Sequence, residues 1–545
     1  SSSENAETMK LDNGLVGYTK IVNFEMSQGE FGTYVFAVQK DKRVYYLVFA
    51  NRPDIVLGFR SSYNQVINTL EVFNPKPFNL DRETTLLQLG GDPEATDLDP
   101  AVYTGSADDY IGLLYSGLVR LTSAMQIVPE LAESWTVSAD GLNYTFVLRQ
   151  NLLFASGAPI TAQTVKDSWE RACDPRVNST TARTYLGDIV GVDEKLDGAA
   201  EEISGIVVLD ERTLQVTIDE PKSYFIAKLT YPTAFVMDAA NARGDAEDWA
   251  FEADTSGPYV IREYRPEEGI VFERNPLYFN QPAIPYLVFD FAPGGSPLSL
   301  YEEGSIDLLP LDTETAVLVG RATHELNADL KTGISMCTTM LFFNTQKAPM
   351  DDPKVRLAFA LAVNKPELNL RFFNEQPLIA QSVLPPAMPG FNAGLSAPAF
   401  DADAAKAALA ESTYAAGLPP ITLSLSGLPG DAGDNINAMI RSWKDILGAE
   451  ITIEYVDPDN YTEELRKNPG HIVSYGWCAD YPDPENFLDL LFHSASEFNP
   501  TGYNNPEVDA LLEQARSEPD PAVRIELYQQ AERLIIEDGA VLPMF

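Results

Sequence analysis

Basic residues are scarce in this sequence. The 545-residue chain has 38 lysines and arginines against 80 aspartates and glutamates, which gives a formal net charge of −42. Nucleic acids and anionic membrane surfaces are bound through clustered Lys and Arg side chains. We therefore expect no nucleic-acid partner. No run of 18 or more apolar residues occurs either, so no segment is predicted to cross a bilayer.

Cysteine and histidine are scarcer still, with three residues of each type. Three cysteines are too few and too scattered for a zinc module or a disulfide scaffold, and the sequence has no His-Glu-x-x-His or Cys-x-x-Cys pattern. In an oxidising compartment, one bridge and one free thiol would be the natural arrangement. We predict no bound metal and no cofactor. The cysteines are Cys173, Cys337 and Cys478.

Motifs for nucleophilic hydrolysis or nucleotide binding are also absent. There is no Gly-x-Ser-x-Gly turn and no Gly-x-x-x-x-Gly-Lys loop. The segment "ADTSGPY" at Ala253 only approaches the Asp-Thr-Gly of aspartic proteases, because its glycine is displaced by one residue and no second copy exists. The segment "FDADAAKA" at Phe400 lacks the glycine and the closing glutamate of a calcium loop. Both are better explained as a turn and a helix start.

The length and the patterning predict several mixed α/β domains. A chain of this length is too long to fold around a single hydrophobic core. We therefore expect at least two domains, and three or four fit the length better. Segment 34–50 has the pattern of a β-hairpin, and the apolar positions from Tyr63 to Leu70 have helical spacing, which predicts a small α/β unit before a linker at Asn74–Glu83. Further strands are predicted at 84–89, 144–149, 213–218, 269–274 and 338–344. Helices are predicted to begin at Asp352-Pro353, Asn505-Pro506 and Asp520-Pro521.

The densest chemistry lies in "SYGWCADYPDPENF", Ser474 to Phe487. Two of its carboxylates could act as the acid and base of a glycosidase, whose mechanism needs a carboxyl group on each side of a sugar bond. Asp480 and Glu485 are the candidates for that role. However, "PDPENFLDLL" is more typical of a turn followed by a capped helix.

Four segments of the chain, in order, resemble the extracytoplasmic solute-binding proteins of ABC importers, which carry peptides, dipeptides, nickel complexes and some oligosaccharides. The similarity extends from about Thr84 to Phe545, and the joint occurrence of the four blocks makes it specific. The blocks are "LYSGLVRL" with "IVPELAESWTVSADGLNYTFVLRQNLLFASGAPITAQTVKDSWERACDP"; "SGPYVIREYRPEEGIVFERNPLYF"; "LFFNTQKAPMDDPKVRLAFALAVNK"; and "GWCADYPDPENFLDLLFHSAS" with "YNNPEVDALLEQA".

The resemblance implies a fold and a division into domains. The fold would be α/β and periplasmic-binding-protein-like: two lobes and an extra domain, mixed sheets flanked by helices, and a hinge between the lobes. Residues 1–80 would be a small α/β extension of unknown function, and the family's C-terminal return to lobe I would be missing after "AVLPMF". The implied lobes are 81–106 with 238–336 (lobe I), 107–237 (lobe II) and 337–545 (lobe III).

The resemblance also implies a disulfide and a ligand site. Oligopeptide-binding members join a cysteine of a "Cys-Thr" strand to the cysteine of "Trp-Cys-Ala-Asp-Tyr", which implies a Cys337–Cys478 bridge and leaves Cys173 as a buried free thiol. Asp480 would accept the α-ammonium group of a peptide through a charge-assisted hydrogen bond. Some members have an arginine where this chain has Ser474, so the length and the nature of the ligand stay open. Further ligand contacts are predicted at Trp477 as an apolar wall, at Gly476 and Ala479 through backbone groups, and at Tyr475, Asp92 and Glu94.

The function implied by the resemblance is that of a monomeric, non-enzymatic binding protein with no catalytic residues. It would capture a peptide-like solute between two lobes outside the cytoplasm, held there by a lipid anchor whose signal is not in this chain. It would then deliver the solute to the subunits of an ABC permease. Two alternatives stay open: the same fold binding an oligosaccharide or a metal chelate, and a secreted glycosidase that uses Asp480 and Glu485.

Overall fold

The computed structural model describes most of the chain and divides it into two compact units. One unit contains Ser1–Pro93, Arg262–Phe272 and Ile284–Pro310, and the other contains Glu94–Ile261, Glu273–Ala283 and Leu311–Phe545. The lobe boundaries given above stay a prediction. The residues that the structure describes are 6–26, 29–40, 43–70, 77–89, 98–103, 108–239, 253–291, 295–430, 432–458, 461–496 and 498–545.

Strands and helices are mixed along the described chain, in agreement with the predicted α/β class. The strands are β1 (Glu7–Lys10), β2 (Val16–Met26), β3 (Gly29–Lys40), β4 (Arg43–Asn51), β5 (Thr85–Leu89), β6 (Val119–Leu121), β7 (Ile127–Pro129), β8 (Ala132–Val137), β9 (Asn143–Leu148), β10 (Ile206–Asp210), β11 (Thr213–Thr217), β12 (Tyr259–Arg265), β13 (Gly269–Arg274), β14 (Tyr286–Asp290), β15 (Cys337–Phe343), β16 (Ile421–Ser426), β17 (Ile451–Val456), β18 (Ile472–Cys478) and β19 (Val541–Pro543).

The α-helices are named in the same way. They are α1 (Pro53–Gly58), α2 (Arg60–Asn68), α3 (Asp108–Leu114), α4 (Ala162–Ala172), α5 (Ala182–Leu186), α6 (Val192–Leu196), α7 (Phe225–Lys228), α8 (Pro297–Glu302), α9 (Thr313–Val319), α10 (Pro353–Leu361), α11 (Lys365–Phe373), α12 (Ala402–Ala410), α13 (Gly433–Leu447), α14 (Tyr461–Lys467), α15 (Glu485–Phe492), α16 (Pro506–Ser517) and α17 (Pro521–Glu537). In the described part of the chain, every helix is too short or too polar to cross a lipid bilayer.

The first unit contains two four-stranded sheets. The N-terminal sheet has the order β1-β2-β3-β4, and its β3–β4 pair confirms the predicted hairpin. Because strand side chains alternate between faces, Tyr34, Phe36 and Val38 all point to one side, where they are buried with Val56 and Ile67 of the covering helices. The second sheet has the order β12-β13-β14-β5, and β5 runs parallel to β14.

The N-terminal half of the second unit is built on the antiparallel sheet β10-β11-β9-β8. We call the hydrophobic cluster around it the middle core. Helix α4 begins with a capping box between Thr161 and Thr164, and it buries Trp169, whose indole Nε1 donates to the Ala234 carbonyl over 2.9 Å. Cys173 ends this helix as a buried free thiol, as predicted. Burial raises the pKa of this thiol to about 12.

The C-terminal half of the second unit is built on the mixed sheet β17-β16-β18-β15-β19. We call its hydrophobic cluster the C-terminal core. The three predicted helix starts are confirmed, since Asp352, Asn505 and Asp520 each accept a hydrogen bond from a backbone N–H of the first turn, with proline in that turn. Such capping satisfies donors that a helix leaves unpaired. The last strand, β19, pairs with β15 in this same sheet.

Candidate functional site

The candidate ligand loop begins with the last two residues of β18, and we define it as Trp477–Asp480. Strands β15 and β18 pair antiparallel, with Cys337 directly opposite Cys478. The two cysteines form a disulfide whose Cα atoms are 4.0 Å apart, which confirms the predicted bridge. Ala479 donates its backbone N–H to the Met336 carbonyl over 2.8 Å. The disulfide and this hydrogen bond together tie the loop to the first residues of β15.

Two predicted ligand residues share one face of β18. Tyr475 and Trp477 are two residues apart, so their rings project to the same side, and both pack against the C-terminal core. Their rings stack with centroids 6.2 Å apart, and Tyr475 stacks in turn on Tyr461 at 6.0 Å. The Trp477 ring also meets the edge of Phe498 at 5.7 Å. Four aromatic rings therefore pack in one continuous row that includes the first residue of the loop, Trp477.

The opposite face of β18 becomes exposed toward the loop, beyond the buried Ile472 and the half-buried Ser474. Gly476 is exposed there and lies opposite Thr339, which is exposed as well. A Cβ atom built on Gly476 would meet its nearest neighbour at 3.7 Å, so packing does not demand glycine at this position. The parallel neighbour β16 pairs with β18 at Ile472 and Val473. Beyond these pairs β16 continues to Ser426, which the parallel register places beside Tyr475, so only the last three residues of β18 extend past its end.

Asp480 lies beside a small separate cluster, in which Tyr185 and Tyr231 of the N-terminal half of the second unit meet Tyr481. Burial raises the pKa of Tyr185 far above its usual value, and the charge of Asp480 and a hydrogen bond to it act in the same direction. The Tyr185 ring stacks on Tyr231 with centroids 3.6 Å apart and planes 4° apart. It also meets Tyr481 edge-on at 6.5 Å. This small cluster therefore joins the two halves of the second unit beside the carboxylate of Asp480.

Sequence reasoning missed Tyr185 and Tyr231. Both lie far upstream of the loop, Tyr185 in the short helix α5 and Tyr231 just before the turn at Pro232–Ala234. Only the tertiary fold brings them to Asp480. The two remaining predicted contacts, Asp92 and Glu94, lie outside the described residues.

The other carboxylates of the loop region have structural partners. Asp483 is bound by both guanidinium nitrogens of Arg524 at 2.6 and 2.8 Å, and Asp489 is bound by Arg516 at 2.6 Å. Glu485 is 5% exposed and accepts a hydrogen bond from the Tyr481 hydroxyl over 2.5 Å. A catalytic acid must reach its substrate, so this burial argues against the glycosidase that would pair Asp480 with Glu485.

A buried ion cluster of the middle core faces Glu485. Asp188 accepts hydrogen bonds from Lys228 at 2.8 Å and from Lys222 at 2.9 Å. Burial opposes the charge on Asp188, but the two ammonium groups outweigh it and hold the pKa of this carboxyl below its usual value. Burial raises the pKa of Glu485 to about 8, although the charge of Lys228 acts in the opposite direction.

The raised pKa of Glu485 predicts a pH-dependent effect of Glu485→Gln. Below pH 4.5, the ordinary value for glutamate, the folded and unfolded chains both keep the proton. Between pH 4.5 and about 8 the unfolded chain releases it while the folded chain keeps it, so the native protein progressively loses stability. Glutamine releases no proton and can still accept from Tyr481. The gain in thermal midpoint from Glu485→Gln should therefore be larger at pH 8 than at pH 5.

Thermal melts at the two pH values check this, with Glu537→Gln as the control because that side chain is exposed at the end of α17. The control should shift the midpoint little at either pH. An equal gain in thermal midpoint at pH 5 and pH 8 for Glu485→Gln would contradict the raised pKa of Glu485.

A cavity of about 590 Å³ opens beside the loop. Cys337 and Thr339 of β15 form one wall, and Leu384 with Phe545 forms another. Ile334 and Leu378, which also line it, are more than half exposed. Apolar side chains dominate its surface, so it suits an apolar group of a ligand.

Comparison with known proteins places this geometry in a family. The family model "Bacterial extracellular solute-binding proteins, family 5 Middle" matches residues 126–499. The periplasmic oligopeptide-binding protein OppA of Escherichia coli (strain K12) is 28% identical over 492 residues, which cover 86% of this chain and 88% of that protein. The dipeptide-binding protein DppE of Bacillus subtilis (strain 168) is 26% identical over 488 residues, covering 84% of this chain and 86% of that protein.

Solved structures agree with the sequence matches. The periplasmic murein tripeptide binding protein MppA, in its unliganded open form, has a TM-score of 0.71 and 25% identity, and the match covers 85% of this chain and 92% of that one. OppA of E. coli and MppA are named as periplasmic binding proteins, and the predicted α/β class of periplasmic-binding-protein type is confirmed. The chain belongs to the bacterial extracellular solute-binding proteins of family 5.

Proposed function

We propose that this protein captures a peptide with a free N-terminus outside the cytoplasm and delivers it to an ABC permease. The observation that carries the proposal is the position of Asp480, a carboxylate beside the stacked Tyr185 and Tyr231 of the N-terminal half of the second unit. A carboxylate in such a partly desolvated place suits an α-ammonium group, because charge-assisted hydrogen bonds are the strong ones.

The surroundings of Asp480 support an extended ligand. Gly476 leaves the exposed face at the end of β18 clear, and the last three residues of β18 continue past the end of β16. An extended peptide can lie along such an edge as an added strand, and its backbone then binds without regard to its side chains. The cavity lined by Leu378 and Phe545 would take an apolar ligand side chain. This arrangement favours tolerance for many peptide sequences.

The relatives support the same proposal. OppA of E. coli and DppE of B. subtilis are named for binding oligopeptides and dipeptides. We extend this class of ligand to the present chain, together with the permease partner, a lipid anchor and a monomeric state. Binding would stabilise one conformation by contacts from both sides of the ligand, as in other proteins that close around a solute.

The substitution Asp480→Asn tests the proposed site. Loss of the charged hydrogen bond should weaken binding of trialanine by about 1.5 to 3 kcal/mol, roughly 10- to 150-fold. N-acetylated trialanine, which has no ammonium group, should bind the native protein and the variant equally weakly. Isothermal titration calorimetry measures both, and Asp445→Asn on the exposed face of α13 is the matched control. Unchanged affinity in Asp480→Asn would remove this residue from the site.

Native mass spectrometry of the purified protein tests the ligand class independently. Denaturing release of the bound material should yield a heterogeneous set of peptides, because backbone contacts do not discriminate among side chains. Release of a single sugar or a metal chelate would instead favour the alternative ligands for this fold.

A further inference from the structure

We propose that Asn486 is a positioning residue that aims the ligand loop, an inference that rests on the proposed function and deepens it. Asn486 has no exposed surface and lies in the first turn of α15. Its Oδ1 atom accepts two hydrogen bonds, from the Trp477 indole Nε1 at 3.2 Å and from the Asp480 backbone N–H at 3.1 Å. One buried carbonyl oxygen thus holds both ends of the loop.

The other backbone ties of the loop lie upstream of Asp480, and the contact with Tyr185 acts on the Asp480 side chain. The disulfide holds Cys478, and Ala479 donates to the Met336 carbonyl. Both ties lie on the side of β15 and precede Asp480 in the chain. Asn486 supplies the hydrogen-bond acceptor for the Asp480 backbone N–H, so it sets the orientation of the backbone from which the carboxylate projects.

Asn486 is itself held in place by a buried chain of contacts. Its backbone N–H donates to the Asp483 carbonyl over 3.1 Å. The Asp483 carboxylate accepts from the Glu485 backbone N–H at 3.0 Å and is held by Arg524 of α17. A positioning group acts well when its own conformation is locked by packing and hydrogen bonds. Because α15 holds Asn486 in a fixed position, the two hydrogen bonds of the Asn486 side chain also fix the position of the loop.

The variants Asn486→Leu and Asn486→Asp separate positioning from packing. Leucine has a similar size but no acceptor, so the Trp477 indole and the Asp480 amide lose their shared partner. Aspartate keeps an oxygen in the same place. The buried Asn499 offers a matched control, because it accepts from Tyr503 and donates to the His493 carbonyl away from the loop. Asn499→Leu removes comparable buried hydrogen bonds without touching residues 477–480.

Calorimetry with trialanine and N-acetyl-trialanine supplies the functional readout. Asn486→Leu should bind trialanine at least 10-fold more weakly than the native protein and should lose most of its preference over the acetylated peptide. Asn486→Asp should restore that preference, and Asn499→Leu should keep it. A preference retained in Asn486→Leu, or lost equally in Asn499→Leu, would overturn the proposal.

Nuclear magnetic resonance of protein labelled with ¹⁵N-tryptophan supplies a readout that needs no ligand. The indole N–H signal of Trp477, assigned with Trp477→Phe, should move in Asn486→Leu and stay near its native position in Asn486→Asp. An unmoved signal would overturn the proposal even if trialanine binds. If the native protein binds no peptide, the proposed function fails while this signal still decides the role of Asn486. If Asn486→Leu does not fold, Asn486→Ala takes its place in both measurements.

Discussion

Replacing both Cys337 and Cys478 by serine is expected to lower the free energy of unfolding by about 5 kcal/mol, from the entropy of closing a loop of this length. The cysteines are 141 residues apart in sequence, so the bridge removes many conformations from the unfolded chain. They lie opposite each other at one end of the β15–β18 pair. The variant should also bind trialanine more weakly, because the bridge holds the start of the ligand loop.

Urea unfolding followed by far-ultraviolet circular dichroism measures this effect. A reducing agent should move the native midpoint to that of the double variant and should leave the double variant unchanged. Cys173→Ser is the control, because this buried thiol has no bridge and its variant should still respond to the reductant. If the fully reduced native protein, verified by mass, keeps its original midpoint, the bridge contributes nothing to stability.

Local patterns predicted much of the fold correctly. The strands expected around 84–89, 144–149, 213–218, 269–274 and 338–344 are all present as β5, β9, β11, β13 and β15. The three Asp-Pro and Asn-Pro helix starts are present because capping and a proline in the first turn act over only three or four residues. Such features depend on neighbours in sequence, so a single sequence is enough to find them.

The partners of the site residues could not be found in the same way. Nothing local indicates that Tyr185 meets Asp480, that Arg524 binds Asp483, or that Asn486 serves the ligand loop. The contact of Tyr185 joins the two halves of the second unit, and the contact of Arg524 joins α17 to the turn before α15. They follow from side-chain packing between elements, which periodicity in the sequence does not encode.

The disulfide illustrates what a family resemblance adds. Composition left any pairing of the three cysteines open, whereas the resemblance selected Cys337 and Cys478. The structure confirms that pair and leaves Cys173 buried and free. The ligand contacts implied by the same resemblance stay predictions, and the Asp480→Asn and Asn486→Leu experiments address them directly.

The substitution Arg524→Met is expected to destabilise the protein by about 3 to 5 kcal/mol, since removing one partner of a buried ion pair leaves an uncompensated charge. Asp483 is 8% exposed, and both of its carboxylate oxygens accept from Arg524. Burial disfavours the guanidinium charge, yet the hydrogen bonds and the charge of Asp483 outweigh it and raise the pKa of Arg524 above its usual value. Its guanidinium also lies 4.8 Å from the Tyr528 ring centroid.

Chemical denaturation of three further variants measures the contribution of this ion pair to the free energy of unfolding. Arg533→Met removes an exposed guanidinium from the same helix, α17, and should cost less than about 0.5 kcal/mol. Asp483→Asn alone leaves Arg524 without its charged partner, while Arg524→Met combined with Asp483→Asn removes both charges. Because the two side chains are in contact, the double variant should lose less stability than the sum of the single losses. Strict additivity would mean that the two side chains contribute separately and that their mutual ion pair contributes no stability.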